Sequence, residues 1–247
     1  MLLAVDIGNT NIKFGIYDGE NLVQKSRVPT DHDLGRISTL FDKSNCPIAK
    51  AIVCSVVPEI NGSLTDQISN EFEVSALVVT NDLDFGLDIT YEPLSAVGTD
   101  RLVNVFSAVE KYGGPCVVCS FGTALTIDAV DETRLLKGGL IAPGMATMAK
   151  ALNLNTSKLP EVAIEKPPTA IQNTTIGSIQ SGIVYGYFGL AASLIERVKA
   201  ESSNKAKVIA TGGFANMVAE NTDQIDIVDE NLLLDGLMLL HKRLQPA

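Results

Sequence analysis

The feature that most constrains this chain is an internal repeat. One segment, "AVDIGNTNIKFGIYDGENLVQKSRV", begins at Ala4, and a second, "VCSFGTALTIDAVDETRLLKGGL", begins at Val118. Each has an apolar strand-like run, a polar residue two positions before a glycine (Asp6 to Gly8, Ser120 to Gly122), a threonine shortly after, an alternating segment and a charged turn. The turns, Asp18-Gly19-Glu20 and Asp131-Glu132-Thr133, suit β-hairpins. After the first hairpin the patterning predicts a helix near His32 to Asp42, a strand at Ala49 to Cys54, a helix near Ile60 to Ser69 and a strand at Ser75 to Val79. After the second it predicts helices near Gly144 to Leu152, Thr175 to Glu201 and Asn231 to Arg243, with a strand at Lys207 to Ala210. Two α/β units, each opening on a hairpin, fit this order better than one parallel sheet throughout. We place the halves at 1–95 and 96–247 and expect a ligand between them, near the strand ends.

The repeat bears on Asp6, an acid at the mouth of the buried run Met1 to Val5. An Asx-type turn, with Asp6 or Asn9 bonding its own backbone, is one reading. The other is an oxygen site for a hydrated cation beside a Gly-Asn-Thr turn whose amides face a phosphate. Two such turns could grip a polyphosphate from both sides, as one could not. Two further segments leave similar pairs of readings. "TGGFANMVAE", from Thr211, follows a strand and opens a helix, so Gly212 and Gly213 serve either a tight turn or the close approach of an anion or nucleoside. In "YEPLSAVGTDRLVNVFSAV", Thr99 or Asp100 caps a helix, or Asp100 receives a proton while Arg101 binds an acid.

Composition sets the class. With 46% hydrophobic and 19% charged residues over 247 positions, the chain can bury a large core and is not disordered. A net charge of −10 argues against nucleic acid, whose binding relies on lysine and arginine. No apolar run reaches the roughly 20 residues of a membrane span, and a core strand follows Met1 at once, so neither a span nor a signal peptide is expected. The simplest compartment is the cytoplasm. Cys46 and Cys54 are isolated; Cys116 and Cys119 form a CxxC inside an apolar run, with no second ligand pair and two histidines in the chain, which reads as core packing rather than zinc or redox chemistry.

The ordered set "DIGNTN", "GTDR", "SFGTALTID", "GGLIAPGM", "IQSGIVYGYFGL" and "ATGGFA" resembles type III pantothenate kinase, from Met1 to about Arg243. That family belongs to the superfamily of actin, sugar kinases and heat-shock chaperones. The resemblance implies a duplicated ribonuclease-H-like fold with mixed sheets, a homodimer and ATP-dependent phosphorylation of pantothenate, the first step of coenzyme A synthesis. It also implies magnesium and a monovalent cation, potassium or ammonium. By motif, Asp6 serves the magnesium, and Gly8, Asn9, Thr10, Asn11 and Lys13 form the first phosphate segment. Asp100 matches the general base, with Tyr91, Gly98, Thr99 and Arg101 at the substrate. Gly122 and Thr123 match the second phosphate motif, and Gly212 and Gly213 the adenosine motif. Thr175 matches a residue that reaches pantothenate across the dimer. Where the family pattern has Asp at the head of the second phosphate motif this chain has Ser120, a neutral hydroxyl at the monovalent-cation position, with Asp128 eight residues on; Glu92-Pro93 replaces the usual Asn-Pro. A nucleotide-binding regulatory protein of the same fold, and a hydrolase of exopolyphosphate type, are the competing readings.

Overall fold

The computed structural model describes residues 1–30, 35–41 and 47–245. The chain divides into two units, Met1–Gly113 with Asn231–Ala247, and Gly114–Glu230. The boundaries differ from 1–95 and 96–247 because two helices that follow the first sheet in sequence pack on it in space.

In the first unit, strand β1 (Leu2–Ile7) pairs antiparallel with β2 (Asn11–Asp18), and β2 with β3 (Asn21–Pro29). Strand β4 (Lys50–Ser55) lies parallel to β1, and β5 (Ala76–Val78) parallel to β4, which gives the order β3-β2-β1-β4-β5. Residues alternate across the sheet. Leu3, Val5 and Ile7, with Ile12, Phe14, Ala51 and Val53, form one cluster with Leu64 and Ile68 of helix α1 (Pro58–Phe72). A short strand β6 (Asp88–Ile89) precedes α2 (Thr99–Tyr112). Helix α6 (Leu232–Arg243) returns at the end of the chain to pack on β1, β2, β4 and α2. Its approach to α2 requires Gly236, since a Cβ there would stand 2.8 Å from Val103 Cγ1 and from the Val103 carbonyl. Asp235 of α6 also accepts a 2.7 Å bond from the Tyr17 hydroxyl on β2.

The helix expected near His32 to Asp42 is, over the described residues, one 3-10 turn at Ile37–Leu40; residues 31–34 and 42–46, Cys46 among them, lie outside the described residues. The two amides that open this turn are taken by Glu71 of α1, at 3.0 Å from Ile37 and 2.7 Å from Ser38. Phe41, with extended backbone, ends the turn after four residues.

The second unit repeats the plan. Strands β7 (Cys116–Phe121), β8 (Ala124–Val130) and β9 (Leu135–Pro143) form an antiparallel meander, and β10 (Lys207–Thr211) and β11 (Ile227–Val228) add parallel strands on the other side of β7. The order β9-β8-β7-β10-β11 is that of β3-β2-β1-β4-β5. Helices α3 (Met145–Leu154), α4 (Thr175–Ser202) and α5 (Ala215–Ala219) complete the unit. Cys119, Phe121, Ile127, Ile183, Tyr187 and Phe188 belong to its core, where Cys116 and Cys119 are buried free thiols. Both thiols of the CxxC are fully buried, Cys119 within that core. Among the described residues one helix, α4, is long and apolar enough by length and composition to cross a membrane, a test that core helices also pass. Its buried residues, from Gly177 to Ile195, lie along the core and account for part of that apolarity.

Candidate active site

Asp6 is the penultimate residue of β1 and only 5% exposed. Its neighbours Val5 and Ile7 face α1, so Asp6 faces the opposite side of the sheet, in register with Lys13 on β2 and Cys54 on β4. Lys13 Nζ lies 3.2 Å from Asp6 Oδ2. Burial raises the Asp6 pKa above the usual carboxylate value; Lys13 works against the rise and the charge of Asp100 adds to it. After β1 the chain turns tightly, with the Gly8 amide donating to the Asn11 carbonyl at 3.0 Å. The Thr30 hydroxyl donates to the Gly8 carbonyl at 2.6 Å, and Arg27 Nε to Asn11 Oδ1 at 2.9 Å. These bonds hold the turn from behind and leave Asn9 and Thr10 exposed at its tip.

The second acid of this unit enters on α2. Gly98 caps the helix, and a Cβ on it would stand 2.4 Å from Asp100 Oδ1, so the carboxylate folds back over a residue without a side chain. The same oxygen accepts the Arg101 amide at 2.9 Å. Asp100 is also raised by burial, an effect opposed by the Arg101 amide and charge, its own amide and Lys13. Asp6 and Asp100, 94 positions apart in sequence, thus feel each other and share one lysine. Arg101, 6% exposed, lies over the Tyr91 ring with its guanidinium carbon 5.6 Å from the centroid. The loop between them is held by Asn81, whose side-chain amide donates to the Leu94 and Val97 carbonyls at 3.2 and 2.7 Å. Thr99 turns inward: its hydroxyl donates to the Ser55 carbonyl at 3.1 Å and accepts from the Cys54 thiol at 3.4 Å. Cys54 reads in sequence as an isolated apolar residue, and nothing local marks its contact with Thr99.

In the second unit Ser120 takes the place of Asp6, and Thr126 on β8 the place of Lys13. Thr211 on β10 flanks Ser120 on its other side, so three hydroxyl residues lie in register across the sheet. Sequence reasoning did not single out Thr126 or Thr211; their relevance depends on strand register. Asp128 is buried two residues beyond Thr126 on the same face, its Oδ1 so close to Gly139 that a Cβ there would stand 2.5 Å away. Gly122 donates to the Ala124 carbonyl at 3.0 Å, and Gly144, at the start of α3, donates to the Thr123 carbonyl at 3.0 Å. Gly212 has φ +98° and crosses the end of β7, where a Cβ would meet the Phe121 carbonyl oxygen at 2.5 Å. The unit thereby brings Gly122 and Thr123 together with Gly212 and Gly213, ninety residues later. Thr175 is exposed at the first position of α4, after Thr174, whose hydroxyl accepts the Gly177 amide at 3.1 Å.

A family model described as type III pantothenate kinase matches residues 2–197. The chain belongs to the type III pantothenate kinase family. Relatives of that name from Geobacter sp. (strain M21) and Exiguobacterium sp. are each 40% identical to it, over 98% and 99% of this chain and 99% and 100% of their own lengths. The relative from Halalkalibacterium halodurans is 37% identical over 98% of this chain and 99% of its own. Among solved structures, a Campylobacter jejuni protein of the Baf family aligns over 98% of both chains with a TM-score of 0.60 at 21% identity. An inorganic polyphosphate/ATP-glucomannokinase from Arthrobacter sp. strain KM aligns over 98% of both at a TM-score of 0.50 and 14% identity. These likenesses show the fold, that of sugar kinases and actin-like ATPases. The chain is a kinase whose family phosphorylates pantothenate in coenzyme A biosynthesis, and such a kinase works with a divalent metal and ATP.

Proposed function

We propose that this kinase transfers the γ-phosphoryl group of ATP to the primary hydroxyl of pantothenate, with Asp100 as the base and Asp6 as the metal-side acid. The observation that carries the reading is the pair of acids in the first unit, Asp6 buried and paired with Lys13, Asp100 half-buried at the start of α2 and within the field of the same lysine. Phosphoryl transfer passes through a loose transition state, so the protein has mainly to align the acceptor oxygen and offset spreading negative charge. Asp100 orients the hydroxyl; as the new P–O bond forms and the bond to ADP breaks, the hydroxyl proton passes to its carboxylate. Arg101 and Tyr91 hold the pantothenate carboxylate end, with Gly98 leaving room for the acid to fold back. The amides of Gly8 to Asn11 and of Gly122 and Thr123 receive phosphate oxygens, Lys13 neutralises one of them, and Gly212 and Gly213 let the backbone approach adenosine.

Buried carboxylate oxygen is the hard donor that magnesium takes, and Asp6 stands at the end of β1 beside the Gly8–Asn11 turn, so the residue fits that ion. Magnesium held by Asp6, directly or through water, would supply positive charge to the β- and γ-phosphate oxygens. For potassium or ammonium the donors at the family position are neutral, namely the Ser120, Thr126 and Thr211 hydroxyls, with Asp128 one step further along β8. Such a set binds a monovalent ion more weakly than a carboxylate would. A homodimer, in which Thr175 of one subunit meets pantothenate in the other, and a cytoplasmic location complete the proposal; the free thiols of Cys54, Cys116 and Cys119 agree with a reducing compartment. Ser120 is the feature on which a nucleotide sensor without transfer would rest, and the presence of Asp6, Asp100 and Arg101 opposes it. The test is formation of 4'-phosphopantothenate by the purified chain with ATP, magnesium and varied potassium. Product formation is expected, and its absence under every cation condition would reject the reading.

A further inference from the structure

We propose that Cys54 and Thr99 form a positioning device that ties the first turn of α2 to the strand beside Asp6 and so sets where Asp100 stands relative to Asp6. The inference rests on the assignment of Asp100 as base and goes beyond it by giving Thr99 a role other than substrate contact.

The geometry runs through the sheet. Asp6 and Cys54 are register partners on adjacent parallel strands and project to the same face, so Cys54 is at a fixed distance from the metal-side acid. The Cys54 side chain is wholly buried, and its thiol donates to Thr99 Oγ1 at 3.4 Å. The Thr99 hydroxyl donates in turn to the carbonyl of Ser55, the last residue of β4, at 3.1 Å. One hydroxyl therefore uses both its donor and an acceptor position on the strand that neighbours β1. Thr99 is the first residue of α2 and Asp100 the second, so the anchor lies one peptide from the acid it places.

Arg101 donates its amide to Asp100 Oδ1 and to the Gly98 carbonyl at 3.0 Å, which shapes the turn internally. Gly98 has no side chain to cap the helix, and no side-chain cap bond forms at this terminus. The two bonds of Thr99 join it to β4. Holding a base against its acceptor is worth orders of magnitude in rate, and a shift of about 1 Å can cost about 10²-fold. A hydroxyl engaged in this way is also unable to turn to a substrate without breaking a buried bond.

Thr99→Val keeps the branched shape and removes both bonds; Thr99→Ser keeps the hydroxyl. The expected result for Thr99→Val is a kcat lower by about 10- to 100-fold with KM for pantothenate within about two-fold of the parent. Thr99→Ser is expected to recover most of that loss. Cys54→Ala should lower kcat less, and the double variant Cys54→Ala/Thr99→Val should be no slower than Thr99→Val alone, since the two act as one unit. A rise in KM at unchanged kcat would make Thr99 a substrate contact and overturn the proposal, as would additive losses in the double variant. A second measurement needs no turnover: amide exchange at Arg101 should quicken about tenfold in Thr99→Val and return to the parental rate in Thr99→Ser. Unchanged exchange overturns the positioning role even if the parent does not phosphorylate pantothenate. Altered exchange with an inactive parent places the fault in the assignment of the reaction instead. Should Thr99→Val fail to fold, Cys54→Ala, which removes the thiol bond to Thr99, is read by the same kcat and Arg101 exchange measurements with Thr99→Ser as the control, and parental values of both overturn the proposal.

Discussion

A carboxylate taken out of water without a full counter-charge holds its proton more tightly, and Asp6 and Asp100 are both in that condition, with burial the largest cause for each. Folded pKa values above the unfolded value of about 3.9 mean that the folded state keeps protons the unfolded chain has released. Stability from this source is full below the unfolded pKa and is lost as pH rises through the raised folded values. Near neutral pH, with no nucleotide bound, Asp6→Asn is therefore expected to melt at a higher temperature than the parent while losing turnover. Thermal melts of the two free proteins check it, and a lower melting temperature would show that the Lys13 pairing outweighs burial. For the reaction the sign reverses, because Asp100 must be ionised to take a proton. The acid limb of kcat/KM should fall as pH drops through a value above the ordinary aspartate range, and Asp100→Asn should lose about 10²-fold or more without loss of fold. An Asp100→Asn protein that turned over at the parental rate would remove Asp100 from the mechanism. At Ser120 the expectation concerns potassium. Ser120→Asp places a charge between Thr126 and Thr211 and should lower the potassium concentration for half-activation. The same half-activation concentration in both proteins would show that position 120 is outside the ion site.

At the scale of elements, the turns rather than the helices hold the two units in working shape. Gly212 joins β10 to α5 at φ +98°, and a Cβ there would stand 2.5 to 2.8 Å from the backbone oxygen, carbon and nitrogen of Phe121. Backbone cannot swing aside as a side chain can. Gly212→Ala is expected to lose about 1–3 kcal/mol from the left-handed conformation and the clash, and to raise KM for ATP. A urea midpoint shifted at constant slope, with the KM series, checks both. The strand and hairpin pattern was legible in the sequence because alternation and turn residues act over a few positions: β1, β2, β7 and β8 fall where the repeat puts them. The site was legible as separate motifs. Their partners were not, since Thr211 beside Ser120 and Cys54 against Thr99 depend on register and on contacts 91 and 45 positions apart in sequence. Over the described residues the segment expected as a helix near His32 to Asp42 shows a 3-10 turn, and its capping by Glu71, more than thirty residues on, is a contact that no local pattern marks.

For the molecule as a whole, the repeat predicts two units of like strand order, and the orders β3-β2-β1-β4-β5 and β9-β8-β7-β10-β11 agree. Where each unit ends was not legible, because a repeat marks beginnings: α6, the last helix in sequence, closes over the first sheet. The assembly prediction belongs at this scale and rests on α4. One side of α4 enters the core of the second unit, whereas another borders an apolar groove of about 500 Å³ with Met148, Ala151, Leu152, Ile179, Gly182 and Ile183 along it. Ile176 is 51% exposed and Leu152 38% exposed at this region, and a Cβ on Gly182, Gly186 or Gly189 would meet open space within the subunit. Small residues beside exposed apolar ones suit the close approach of a helix from a second copy, related by a two-fold axis. A stable contact of this kind covers about 800 Å² on each partner, and charges placed at its centre should dissociate it. The parent is expected to sediment as a dimer at low micromolar concentration, and Leu152→Asp/Ile176→Asp as a monomer with an unchanged fold by circular dichroism. If Thr175 reaches pantothenate in the other subunit, that monomer also loses turnover, although Asp6 and Asp100 are intact. A parent that sediments as a monomer would reject the shared site, and a monomeric variant with full activity would keep the dimer while removing Thr175 from the chemistry.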